Sequence, residues 1–278
     1  MQPTKLLSAF LLGCLLCYST SLVASEFAFL RPVADTTLAE SYPHNNSGAV
    51  PWLNIGSIQN PAGTNAAFPY PRNRALIRFD IANSIPGDAL IESVDFFIDI
   101  AHVPPNDNSD PNQIHNVHRM LRPWGEGTGT NLPPLAIGAG TGFGRPSQTG
   151  EADWYHRFAG TTDTWATPGG LAGVDFSTNV SASIYVLDQS AAPYWIRSTP
   201  EMVADVQSWL NNPDENFGWM LKVDNETAPW TAKRFISREE NPFFPRLEIT
   251  YSIVPEPHTT ALLAAGAALI GFSWWRRR

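Results

Sequence analysis

Apolar side chains recur at every second position in short runs through the middle of this chain, and proline or glycine interrupts each run. In Ala75-Leu76-Ile77-Arg78-Phe79-Asp80-Ile81, positions 75, 77, 79 and 81 are apolar while Arg78 and Asp80 point the other way. That is the period of a half-buried strand. Residues 91–101 repeat it, with Phe96, Ile98 and Ile100 on one face and Asp95 and Asp99 on the other. Further strands are expected at 52–57, 114–121, 181–187, 219–223, 234–237 and 247–251, separated by turns such as Ile85-Pro86-Gly87-Asp88. Many short strands with turn signals between them predict an all-β fold, a β-sandwich or jelly roll. One segment departs from the pattern. Ser198-Thr199-Pro200-Glu201 reads as a capping box, and Met202, Val203, Val206, Trp209 and Leu210 then follow at helical spacing until Asn211-Asn212-Pro213. A short helix at about 199–210 is expected to plug one end of the sandwich. Residues 104–112 and 128–150 read as loops.

Both termini carry apolar runs. Lys5 precedes Leu6 to Leu16, and Val23-Ala24-Ser25 offers small residues before Glu26, the arrangement of a secretory signal over 1–25. A lipoprotein reading at Cys14 would leave Leu15-Leu16-Cys17 as an apolar mature start. At the other end, Val254-Pro255-Glu256-Pro257 leads into an uncharged run from Thr259 to Trp275 and then Arg276-Arg277-Arg278. Those residues make about 25 Å of helix, enough to approach the ~30 Å hydrocarbon core. The arginines hold the end on the cytoplasmic side and leave everything upstream outside. A plain tail anchor would look similar. However, Pro-Glu-Pro, a short Ala/Leu/Gly-rich helix and a terminal arginine cluster together resemble the PEP-CTERM sorting signal of Gram-negative bacteria, over 254–278. The resemblance implies transient membrane anchoring through the C-terminal helix, processing by an exosortase, which is a membrane cysteine protease, and delivery to the cell surface or extracellular matrix.

Setting aside Lys5, Glu256 and the three terminal arginines leaves a body with 14 basic and 25 acidic residues, a net of −11. Three lysines against fifteen arginines supply no long basic surface, so a nucleic-acid partner is not expected. Cys14 and Cys17 both fall in the leader, so the body has no disulfide or thiolate chemistry.

Within the body, several blocks resemble the DNRLRE domain: Ala34-Asp35-Thr36-Thr37-Leu38, the Pro-Trp-Gly-Glu-Gly core at 123–127, Asp153-Trp154-Tyr155-His156-Arg157, Asp205-Val206-Gln207, Asn216-Phe217-Gly218-Trp219 and Ser237-Arg238-Glu239. The naming hexapeptide itself is missing. The resemblance extends over about 30–251, within a single domain expected at 26–253. It implies a β-sandwich module of exported proteins, related to carbohydrate-binding modules and usually non-catalytic.

Candidate sites follow from residue chemistry. Trp52, Trp195 and Trp230 stand in loop-adjacent stretches and offer flat rings on which sugar CH groups stack, pointing to exopolysaccharide or another glycan as partner. The alternative is half-buried packing. Glycoside hydrolysis needs two carboxylates across a cleft, and Glu126 and Asp153, beside Trp124 and Trp154, are the pair to consider. Alternatively Glu126 caps turn amides and pairs with Arg157. No Gly-x-Ser-x-Gly elbow occurs. Asp35 with Asn45 or Asn46 offers hard oxygens of the kind a structural calcium uses. His115 and His118 are three apart and so point to opposite faces of a strand, a poor zinc pair. Asp107-Asn108-Ser109-Asp110 lacks the spacing of a calcium loop. The expectation is an exported, non-catalytic glycan-binding protein, with a polysaccharide-acting enzyme or a module that binds only envelope proteins as alternatives.

Overall fold

The computed structural model describes residues 24–57, 70–103, 113–130, 143–187, 193–253 and 266. The expected secretory leader up to residue 23, the loop at 107–110 and the expected membrane helix, apart from Gly266, lie outside the described residues. Among those described, no helix is long and apolar enough to cross a membrane.

In chain order the strands are β1 (Ser25–Leu30), β2 (Pro32–Ala39), β3 (Asn45–Asn46), β4 (Trp52–Ser57) and β5 (Arg72–Phe79). Then come β6 (Ala89–His102), β7 (Gln113–Arg119), β8 (Arg145–Pro146), β9 (Ala182–Val186) and β10 (Pro193–Ile196). Helix α1 (Pro200–Asn211) precedes β11 (Trp219–Val223), β12 (Lys233–Ile236) and β13 (Arg246–Ile253). The all-β class therefore holds, with one α-helix among the described residues of the body. Eleven strands form a single antiparallel sheet that curls until its two halves face each other, while β3 and β8 pair separately.

The front half runs β1-β13-β6. Along the far edge of β6, β10 pairs with Phe96 to Asp99 and β12 with Ile100 and His102. The back half is β2-β5-β11-β7-β9. Strand β4 joins the halves, pairing β12 through Trp52 to Ile55 and β5 through Gly56 and Ser57. Gly56 makes that corner at φ +103, where a Cβ would lie 2.6 Å from the Thr231 carbonyl oxygen.

Alternation dictates what lies between the halves. Val94, Phe96, Ile98 and Ile100 of β6 and Leu247 and Ile249 of β13 face Ala75, Ile77 and Phe79 of β5 and Trp219 and Leu221 of β11. Phe79, Phe96 and Trp219 meet with centroids 5.7–6.3 Å apart. Each such large side chain contributes roughly 1.5–3 kcal/mol on burial.

The reading of 75–81 as half-buried needs correction. Leu76 is fully buried too, because the irregular chain after β7 lays Met120, Trp124, Trp154, Trp165 and Phe176 over Leu38, Leu76 and Met220. Strands β2, β5 and β11 are thus covered on both faces, while Ile114 of β7 and Tyr185 of β9 stay exposed. The front half is not so covered: Asp95, Asp99, Arg246 and Glu248 remain partly in water.

Helix α1 closes one end with Met202, Val206, Trp209 and Leu210 in the main core, as its spacing predicts. Its cap differs from the expected box. Thr199 Oγ1 accepts from Met202 N at 3.0 Å, while Ser198 Oγ accepts from Val94 N at 2.9 Å and so ties the helix entry to β6.

Candidate functional site

The open outer face of the front half gathers aromatic and arginine side chains. Alternation along β1 puts Phe27 and Phe29 outward, 60% and 50% exposed. Register then aligns Arg246 of β13 with Phe97 of β6, and Phe97 with Trp195 of β10, in one row across three strands. The Arg246 guanidinium lies 3.6 Å from the Phe97 ring centroid, 5.1 Å from Trp195 and 5.6 Å from Phe29. Its Nε donates to Glu248 Oε1 at 3.2 Å, which fixes the fork's direction. The Arg197 guanidinium lies 4.9 Å from the Trp195 ring centroid and pairs with Asp95 at 3.3 Å. Arg31 stacks 3.4 Å from Phe244, whose ring meets Phe29 edge-on at 6.4 Å. Burial raises the Asp99 carboxyl on the same face, and Arg246 partly offsets it. Such a surface offers ring faces for CH groups and planar, multi-donor cations for hydroxyl or carboxylate oxygens.

The three tryptophans expected to bind sugar are not together. Trp195 is in the row. Trp52 shares the outer face by the alternation of β4, two strands away, with Arg234 5.1 Å from its ring. Trp230 is half-buried in the turn before β12, in the left-handed region at φ 60. Phe29, Phe97, Arg197 and Arg246 were missed in the sequence. The period-two phenylalanines at 27 and 29 were a signal for the first of them; the others needed the register.

Glu126 and Asp153 stand on neighbouring segments, since Ala152 N donates to the Gly125 carbonyl at 2.7 Å, but their side chains enter separate networks. Asp153 is buried. Its Oδ1 accepts from the backbone N–H groups of Tyr155 and His156 at 2.8 and 2.7 Å, and the His156 Nδ1 lies 2.9 Å away. Ser147 Oγ donates to its Oδ2 at 2.9 Å. Glu126 Oε1 instead accepts from Asp35 N and pairs with Arg238 Nε, each at 2.9 Å. Burial pushes the Glu126 carboxyl up to about 7, against the pull of the Asp35 amide and Arg238. The expected Glu126–Arg157 pair does not form. Arg157 holds Asp163 at 2.8 Å and the Pro123 carbonyl at 3.1 Å.

Asp35, fully buried, accepts from Arg238 N at Oδ2. Asn46 gives both amide protons to the carbonyls of Glu126 and Ala152, and its Oδ1 accepts from Gly48 and Gly129. Asn45 Nδ2 donates to the Phe143 carbonyl. The three residues therefore do not converge on one point. Among the described residues no group of three His, Asp or Glu is disposed to hold a metal. His115 faces Phe235 in the core and is pushed down to about 4 by burial; His118 packs on Phe176 on the opposite face.

No curated protein matches the chain. Among protein-family models, the PEP-CTERM protein-sorting motif matches residues 254–278, which include Pro255, Glu256, Pro257, Arg276, Arg277 and Arg278. The motif covers the C-terminal tail and not the sheet, and it indicates an exported protein sorted by exosortase, a membrane protein, toward the cell surface.

Proposed function

We propose that this protein is a non-catalytic surface or matrix module that binds exopolysaccharide through Phe29, Arg246 and Trp195, with buried Phe97 seating the guanidinium from beneath. The observation that carries the reading is the placement of Arg246 among three rings on an uncovered sheet face, with Glu248 holding it. Sugar CH groups stack on the exposed rings while the guanidinium edges meet ring oxygens or carboxylates. The DNRLRE resemblance of the body points the same way. So does the position of the row: β13 runs from Arg246 to Ile253, about 23 Å at strand rise, before the chain reaches Pro255. The binding row thus stands at the end of the sheet away from the membrane-directed tail.

A glycosidase built on Glu126 and Asp153 would need both carboxylates on one cleft, and each is engaged in its own network. The glycan reading does not depend on calcium; the one side-chain oxygen of Asn46 is engaged by the Gly48 and Gly129 amides.

The test is affinity electrophoresis of the exported protein through gels holding the host's exopolysaccharide, in acidic and neutral fractions, followed by a reducing-sugar assay. Retardation without new reducing ends, weakened about tenfold in Trp195→Ala and Arg246→Ala, is the expected result, equivalent to ~1.4 kcal/mol for each. New reducing ends would establish hydrolysis instead. Unretarded migration combined with specific capture of envelope proteins would make the module a protein binder.

A further inference from the structure

Three carboxylates and one guanidinium meet where β2, the segment at 124–127 and the turn after β12 come together. Asp35 supplies its amide N–H to Glu126 Oε1 and its Oδ2 to Arg238 N. Arg238 Nε lies 2.9 Å from both Glu126 Oε1 and Glu239 Oε1, and its Nη1 donates to the Val33 carbonyl. Ser237 Oγ closes the turn onto the Val50 carbonyl. Asp35 Oδ1 is fully buried and has no hydrogen-bond partner. With every acid ionised, Arg238 would face three negative charges, one of them sealed from water. Arg78 adds a more distant positive charge beside Glu126.

We propose that this cluster is a proton-controlled latch, which fastens the 237–240 turn and the 124–127 segment to β2 while protons balance the excess carboxylates and loosens when they leave. Asp35 holds its proton most firmly, since burial and its neighbours Glu239 and Glu126 all disfavour its charge, outweighing Arg238. Glu126, about one-fifth exposed, is the carboxyl that exchanges near neutral pH. A carboxyl raised in the folded state binds its proton more tightly there than in the unfolded chain. Its contribution is therefore present below the ordinary value of 4.5 and is lost as pH rises toward about 7. Buried His115, lowered to about 4, has the opposite slope over an overlapping range, so the total stability curve hides the latch.

The difference between the exported protein and its Glu126→Gln variant removes that background. The variant is expected to gain in Tm relative to the parent by at least about 3 °C between pH 5 and pH 8. In the parent, trypsin cleavage after Arg238, normalised to an unfolded reference peptide, is expected to rise over the same range. If the variant does not fold, the Glu126 side-chain carboxyl can be titrated by carbon NMR in the parent alone. A midpoint near 7 supports the latch. Parallel Tm curves, a carboxyl midpoint below about 5, or cleavage independent of pH would each overturn it.

Discussion

Asp205, buried on the inner face of α1, accepts two hydrogen bonds on one oxygen: Ser181 Oγ donates to Oδ2 at 2.6 Å and the Trp219 indole Nε1 at 2.8 Å. Asp205→Ala would leave both donors inside the protein, and urea unfolding should register a loss of roughly 2–4 kcal/mol. Asp205→Asn, which keeps an acceptor, should lose less. Glu151 makes a different point. Arg145 grips it with both guanidinium nitrogens at 2.8 Å, the Gln148 and Thr128 amides add hydrogen bonds, and together these overcome burial to hold its carboxyl down at about 2. A carboxylate depressed in the folded state stabilises it above the unfolded value and loses that contribution as pH falls. Denaturant titrations should therefore show on the order of 2–3 kcal/mol lost between about pH 4.5 and pH 2, and Glu151→Gln should abolish that part of the acid sensitivity. None of these pairings was legible in the sequence. A carboxylate's partner depends on what the fold brings alongside it, as the replacement of the expected Glu126–Arg157 pair by Glu126–Arg238 demonstrates.

Among the elements, α1 was the most legible because its signals are local: a hydroxyl before the first turn, proline at the start and a stripe at i, i+3 and i+4. Thr199 serves both sides of that cap, accepting from Met202 N and donating to the Ser181 carbonyl. Thr199→Ala should cost about 1–2 kcal/mol in thermal unfolding and Thr199→Ser should restore most of it. Strands with clean alternation, β6 and β13 above all, could be read because one side of each meets water. β1, β2 and β10 escaped for identifiable reasons. β10 is only four residues long, with Tyr194 and Trp195 both half-buried. β2 is buried at nearly every position, so polar Asp35, Thr36 and Thr37 sit inside where an alternation rule expects water. β1 does alternate, but it begins where the leader ends and its outward residues are phenylalanines.

For the whole molecule, the curl of the sheet depends on its corner at β4. Gly56→Ala would place a Cβ 2.6 Å from the Thr231 carbonyl in a backbone region that alanine rarely adopts, and should lower stability by roughly 1–3 kcal/mol. At the same scale, Ser25 and Ser252 are paired neighbours, so β1 begins and β13 ends at the same end of the sheet. Replacing Arg276, Arg277 and Arg278 with alanine should block sorting, leaving the protein in the membrane fraction and absent from the surface on cell fractionation.

The residues alone determined the strand-rich class, the helix and the C-terminal sorting tail, because period, capping, apolar length and flanking charge are properties of contiguous chain. Only the tertiary structure decided that a third layer of irregular chain covers β2, β5 and β11, that Arg246 stands among Phe29, Phe97 and Trp195, and that Asp35 meets Glu126 and Arg238. Those partners lie 91 and 203 residues from Asp35, and the packing of the 124–127 segment and of the turn after β12 onto β2, which no local pattern encodes, is what brings them within hydrogen-bond reach.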